Sequence, residues 1–267
     1  MSQNDQDVPL VTVVVPCYNH VRFVEKAIES VLKQSYPRVQ LVVIDDGSSD
    51  GSADLIAELA SAHGFECLQQ QNAGICRTLN RAIQTRARGS YIALLASDDF
   101  WHPEKIASQV EALSNSPKAE LAFSQAIEFT DEKRIDEGPV FPAHPKHGRM
   151  LRSVFFRQHV PAGTLLFSRR LYDELGGFDE SLKEEDWDFV IRAAAATEFV
   201  SVSRPLLFYR SHASNTMKTR RRAAIFQQKA LILSKNFHLV SPWIWLSSVL
   251  GHFLYDLVWC PLRARIK

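Results

Sequence analysis

The chain is poor in cysteine: Cys17, Cys67, Cys76 and Cys260 lie far apart and form no C-x-x-C pair. That spacing argues against a disulfide framework and against a zinc site, and points to reduced thiols in a cytosolic protein. Apolar runs of roughly 18 residues are also missing, so no membrane-spanning helix is expected. The first residues, Met1 to Asp7, are polar and acidic, the opposite of a signal peptide. No G-x-G-x-x-G follows an apolar run, which disfavours a dinucleotide-dependent dehydrogenase. There is little charge of one sign: the formal net charge is +1 over 267 residues, so nucleic acid is not an expected partner. Lys and Arg nevertheless concentrate in the last quarter of the chain.

The first part of the chain alternates between short apolar runs and helical periods. Leu10–Val15, Leu41–Ile44, Phe65–Gln69 and Tyr91–Ala96 read as strands. Val21–Gln34, Ala53–Ala62 and Ile75–Ala87 read as helices, with Ser52 expected as the N-cap of the second. A further helix is expected from Pro103 to Leu113. This rhythm predicts an α/β fold with a mainly parallel sheet and helices on both faces, whose ligands bind at the carboxyl ends of the strands. Beyond it, Glu120–Phe129, Gly163–Phe167 and Leu206–Arg210 are expected strands. Glu185–Ala196 and Met217–Asn236 are expected helices, and Asp131–Gly148 is expected to be a mobile loop or lid.

Two of the strand ends carry paired acids, Asp45-Asp46 and Asp98-Asp99. Adjacent carboxylates repel, so a site that keeps them usually also keeps a cation, and Mg²⁺ or Mn²⁺ with a phosphate-bearing substrate is the natural tenant. A turn that merely caps the next helix is the plainer explanation of Asp98-Asp99, and a solvated loop acid that of Asp45.

Further segments add to the pair. Val14-Val15-Pro16-Cys17-Tyr18-Asn19, Val43-Ile44-Asp45-Asp46-Gly47-Ser48-Ser49, Gln71-Asn72-Ala73-Gly74 and Ser97-Asp98-Asp99 stand in order along the chain. Together they resemble the nucleotide-sugar-binding half of family 2 glycosyltransferases. The resemblance covers roughly residues 10–103 closely. It implies a GT-A type, Rossmann-like sheet with flanking helices, followed here by a C-terminal helical extension. The implied organisation is a polar tail over 1–9, a nucleotide-sugar-binding half over 10–115, an acceptor-binding and catalytic-base half over 116–215, and C-terminal helices over 216–267.

The implied donor-binding residues are Pro16, Tyr18, Asn19, Asp46, Asn72, Ser97 and Asp98. Asp99, with Asp98, is the implied holder of the Mn²⁺ or Mg²⁺. Many members have Asp or Asn where this chain has Ala96, which implies weaker metal binding. Gly176-Gly177-Phe178-Asp179 followed by Glu184-Glu185-Asp186-Trp187 resembles the family's acceptor-side segment, and the implied catalytic base is Asp186. Such a base takes the proton of an acceptor hydroxyl as it attacks the anomeric carbon, giving inversion in one step. Acids favouring a helix N-terminus are the alternative explanation of the same segment. Tyr209-Arg210-Ser211-His212 resembles an element that approaches the diphosphate or metal, which adds His212 to the implied metal ligands.

The expected activity is therefore metal-dependent transfer of a sugar from a nucleotide-diphospho-sugar to a saccharide or lipid-linked acceptor, in cell-surface polysaccharide or glycolipid assembly. A nucleotidyltransferase would want a Gly- and basic-rich loop where Pro16–His20 stands. A glycosidase would need no nucleotide or metal site. A degenerate, merely donor-binding or scaffolding member is the non-enzymatic alternative. The segment Pro242–Lys267 places Trp, Leu, Val and Phe at helical spacings ahead of Arg263, Arg265 and Lys267. It suits a membrane surface at the inner face of the cell membrane, or packing on the protein's own core or a second subunit.

Overall fold

The computed structural model describes residues 8–183, 186–213, 215 and 220–260. Strand β1 (Val11–Cys17) is a run of β-branched residues buried on both sides, the pattern of a central parallel strand. It pairs in parallel with β2 (Val39–Asp45) from Val11↔Val39 to Cys17↔Asp45. On its other side β4 (Tyr91–Leu94) pairs in parallel from Val11↔Tyr91 to Val14↔Leu94. Strand β3 (Glu66–Gln69) extends the parallel part beyond β2. Because these registers run level, the loops after Cys17, Asp45 and Leu94 leave the sheet at one edge.

The sheet then continues without a break into the second half of the chain. Beyond β4 come β8 (Leu166–Ser168), β6 (Ala119–Phe129), β9 (Glu198–Arg210) and β5 (Phe100–Trp101), with β7 (Val140–Phe141) beside β6. Strand β8 runs antiparallel to both β4 and β6. Strand β9 lies parallel to β6. The two-residue strand β5 pairs antiparallel with Phe208 and Leu207 of β9. Both halves of the chain thus share one nine-stranded sheet.

Helices cover both faces. Val24, Ala27 and Ile28 of α1 (Val24–Leu32), Ile56 of α2 (Ser52–His63), and Ile106 and Val110 of α4 (Lys105–Ser114) pack with Val11, Val13 and Val15. Leu79 and Ile83 of α3 (Ile75–Arg86) pack on the opposite face with Val14, Val42 and Ile44. They share that core with Val154 and Phe155 of α5 (Leu151–Phe156), Leu171 of α6 (Arg169–Glu174), and Phe189 of α7 (Asp186–Ala196). Each fully buried side chain of this size contributes on the order of 1.5–3 kcal/mol.

Helix α8 (Arg222–Lys235) and helix α9 (Pro242–Phe253), which continues as a π-helical stretch over Leu254–Trp259, form the C-terminal extension. Ile232 and Leu233 anchor α8 in the core. A buried polar knot ties it to α7. Asp188 accepts from Arg192 Nε and from Asn236 Nδ2, each at 2.7 Å. Removing the acid from such a pair strands a cation, so Asp188→Ala is expected to lower unfolding stability by about 3 kcal/mol. Urea denaturation monitored by circular dichroism checks this.

Several expectations change. Ser52 is not the N-cap of α2: Gly51 occupies that position, and Ser52 is the first helical residue, donating to Asp50 while accepting from the His20 amide. Helix α4 starts at Lys105 rather than Pro103. The segment expected as a mobile lid carries a 3₁₀ turn over Glu132–Glu137 and the strand β7 (Val140–Phe141) against Ala126 and Ile127. Glu132 ties it down through Lys26 and Arg210. Glu184 and Glu185, the expected helix start at Met217, and Arg263, Arg265 and Lys267 lie outside the described residues.

Candidate active site

The level strand ends open into one cleft of about 1610 Å³. Pro16, Tyr18, Asn19, Asp46, Asn72, Ser97, Asp98, Asp99 and Asp186 all line it, which brings the sequence-predicted residues of both halves together. His212 reaches the same place through its contact with Asp98.

Three loops form the donor-side wall, and they are laced to one another. Asn19, held at φ 56, accepts from the Ser49 amide at 2.8 Å, while its own amide donates to Ser48 Oγ at 2.8 Å. Asp45 turns away from the cleft and accepts from the Gly47 and Ser48 amides, so it holds the turn. Asp46 is buried and faces the cleft. Its oxygens accept from Gln70 Nε2 at 2.7 Å, Ala73 N at 2.8 Å and Gly74 N at 3.1 Å. These bonds fix the Asn72–Gly74 loop and leave the carboxylate at most one lone pair for a ligand. Gly47 sits at φ +78, where a Cβ would come within 2.7 Å of the Asn72 amide, so only glycine lets the two loops touch. Tyr18 stands 49% exposed at the rim, free to cover a planar group.

The paired acids separate. Asp99 is buried, and its Oδ1 accepts from the Arg210 amide at 2.7 Å. Burial, and then the neighbouring Asp98, push its carboxyl well above the ordinary range. Asp98 turns the other way and meets His212 Nε2 at 3.0 Å. His212 is in turn stacked on Phe23, with ring centroids 5.2 Å apart. The ligating atoms of His20, Asp98 and His212 lie within 4.8 Å of one another. His20 Nδ1 meets Ser97 Oγ at 2.8 Å, which orients the ring and leaves Nε2 for another partner. Burial lowers the His20 pKa and so favours the neutral imidazole that metals require. One carboxylate and two imidazoles form a donor set that fits a divalent transition cation. Asp99 is not part of that group. The Arg210 bond engages Oδ1 of Asp99 alone, and the carboxylate keeps further acceptor capacity.

Arg210 is a strut. Its guanidinium donates to Asp98 O at 2.9 Å and to Glu132, and sits over Phe129. Asn215 accepts from the His212 amide and donates to Arg210 O, so it shapes the turn that presents His212.

Asp186, the first residue of α7, lines the same cleft. Gln158 Nε2 donates to its Oδ2 at 3.1 Å. Burial raises its pKa, and the Gln158 bond offsets part of that rise. Two of these partners escaped the sequence reading. His20 follows Tyr18-Asn19 directly after a strand end, which is a usable signal. Gln158 stands in a polar stretch with none. Six cations also line this cleft: Arg77, Arg157, Lys183, Arg220, Arg222 and Lys229.

The model of Glycosyl transferase family 2 matches residues 12–176. An uncharacterized glycosyltransferase of Rickettsia prowazekii is 28% identical over 215 residues, covering 79% of this chain and 67% of that protein. A matched relative from Rickettsia felis is 28% identical over 67% of this chain, which spans only 30% of it. The putative teichuronic acid biosynthesis glycosyltransferase TuaG of Bacillus subtilis is 36% identical over 105 residues, covering 39% of this chain and 41% of TuaG. Among solved structures, S. aureus TarS 1-349 in complex with UDP-GlcNAc superposes with a TM-score of 0.73 at 17% identity, over 92% of this chain and 73% of that one. The mannosyltransferase PcManGT of Pyrobaculum calidifontis, in complex with GDP-Man and Mn²⁺, gives 0.65 at 19% identity, over 94% and 70%.

Proposed function

The chain belongs to glycosyl transferase family 2, and from that premise we propose that it moves a sugar from a nucleotide-diphospho-sugar to a hydroxyl acceptor by one inverting displacement supported by a divalent cation. The observation that carries this reading is the division of one cleft. The Asp98, His212 and His20 group stands with the donor loops, and Asp186, from the second half of the chain, lines the same cleft.

The residues divide the work. Pro16, Tyr18, Asn19 and Asn72 shape the place for the nucleotide, and Asp46 holds their loops while offering a remaining acceptor to a base or ribose hydroxyl. Asp98, His212 and His20 would hold the cation, with Ser97 orienting His20 and Arg210 keeping Asp99 in place behind them. When bound, that cation offsets the charge of the departing nucleoside diphosphate. Two nitrogen donors suit Mn²⁺ better than Mg²⁺, which prefers an all-oxygen shell. Asp186 takes the proton of the acceptor hydroxyl as that oxygen attacks the anomeric carbon from the face opposite the leaving group. No protein nucleophile is needed, and one displacement inverts the centre.

Cell-surface polysaccharide or glycolipid assembly at the inner face of the cell membrane is the setting we propose, supported by the likeness to a teichuronic acid glycosyltransferase. The test is a panel of UDP-, GDP- and dTDP-sugars with Mn²⁺. Release of nucleoside diphosphate from at least one donor is expected, together with weaker turnover in Mg²⁺. Donor binding by calorimetry with no turnover on any acceptor would instead identify a degenerate, binding-only member.

A further inference from the structure

The C-terminal helix is apolar on both sides. Inward, Ile244, Trp245 and Val249 pack on the core beside polar anchors: Ser248 donates to Phe155 O at 2.9 Å, His252 packs on Trp187, and Asp256 pairs with Lys229 at 2.8 Å. Ser248 is 1% exposed and Asp256 not at all. Its outward side is apolar. Trp243 is 79% exposed and Leu250 is 52% exposed, and Leu246, Phe253 and Leu254 continue the same stripe at helical spacing. A helix packed on its own protein alone would turn a polar face to water. A contiguous patch of this kind marks a surface made for a partner.

We infer that the outward face of α9 and its π-helical continuation docks on an anionic lipid bilayer. Charge selects this occupant. From residue 216 onward the sequence holds nine Lys and Arg residues and a single acid, Asp256, which is buried in an ion pair. Helix α5, the other neighbour of α9, carries Arg152 and no acid. The C-terminal segment that carries the stripe is therefore basic in composition. A second copy would bring like charge against like, whereas anionic headgroups complement it. Aromatic rings at the two ends, Trp243 and then Tyr255 with Trp259, suit the headgroup level of a membrane. No described helix is long and apolar enough to cross a bilayer, so contact is along the surface.

The docking has a consequence for substrate class. Ser247, Gly251 and Tyr255 of the same helix line the cleft, so docking holds the acceptor side of the cleft beside the lipid surface. The acceptor it serves is a saccharide carried on a lipid. That clause rests on the sugar-transfer reading above; the docking itself does not.

Flotation of the full chain with vesicles of phosphatidylglycerol and phosphatidylcholine tests the inference. Binding is expected at low salt, weaker on pure phosphatidylcholine and weaker as salt screens the attraction. The combined variant Trp243→Ser, Leu246→Ser, Leu250→Ser removes exposed side chains only. It should keep its circular dichroism and its donor hydrolysis in vesicle-free solution while losing at least about tenfold in vesicle affinity. Absence of binding to the anionic vesicles, or equal binding by the variant, overturns the inference. So does a wild-type dimer in sedimentation that the variant dissolves, since the stripe is then an interface between copies. Donor hydrolysis absent from wild type and variant alike would count against the sugar-transfer reading and leave the vesicle result standing.

Discussion

Replacing Asp186 by Asn is expected to slow sugar transfer by about 10²–10⁴-fold, the usual contribution of a positioned general base, with donor binding unchanged. Asn is isosteric and still accepts the Gln158 amide at its oxygen, so the N-terminus of α7 keeps its geometry. What is lost is the capacity to take a proton. Because Asp186 is held by Gln158 and not by the donor loops or the Asp98 group, calorimetric donor affinity should match wild type within error. Full activity in Asp186→Asn would remove it from the mechanism.

The same residue sets the pH response. Burial raises its pKa above that of an ordinary carboxyl, and a base works only when ionised. The transfer rate should therefore fall on the acid side at a pH above the usual aspartate range. The Gln158 bond favours the charged form, so Gln158→Leu should move that acid limb to still higher pH. A rate profile across pH in the two proteins checks the sign. A shift to lower pH would mean that Gln158 does not act on Asp186.

The parts of the fold that were legible in sequence are those where one physical signal dominates. Val11–Val15 and Leu41–Ile44 announce themselves because strands buried on both faces must be apolar throughout. Strand β9 was seen only from Leu206, although it begins at Glu198, because Pro205 argues against a ladder strand. The structure accommodates that proline with a register shift, in which Ser124↔Val202 is followed by Gln125↔Pro205. Strands β5 and β7, of two residues each, exist only through partners far along the chain. The site divides in the same way. Asp46, Asp98, Asp186 and His212 follow from ordered motifs, and the cleft gathers them. The opposite orientations of Asp98 and Asp99 do not follow, because they are set by partners far along the chain. The Arg210 amide, which holds Asp99, arrives from the end of β9.

The proposed metal group yields the second large effect. Asp98→Asn and His212→Ala are each expected to weaken Mn²⁺-supported donor binding by about 10–100-fold, or about 1.4–2.8 kcal/mol, since each removes an atom that we propose holds the cation. Without cation, both variants should bind donor as weakly as wild type does. Asp99→Asn should behave differently. An asparagine oxygen can still accept the Arg210 amide, and burial beside Asp98 already disfavours the charged form of Asp99. Its loss in Mn²⁺-supported binding should stay under about threefold. His20→Ala takes away one of the two imidazoles and should lower Mn²⁺ affinity more than Mg²⁺ affinity, narrowing the preference between them. Titration of Mn²⁺ by electron paramagnetic resonance reads all four variants without relying on turnover. If Asp99→Asn loses the ion while Asp98→Asn keeps it, the metal belongs to Asp99 and the Arg210 amide must let go of its carboxylate when the donor binds.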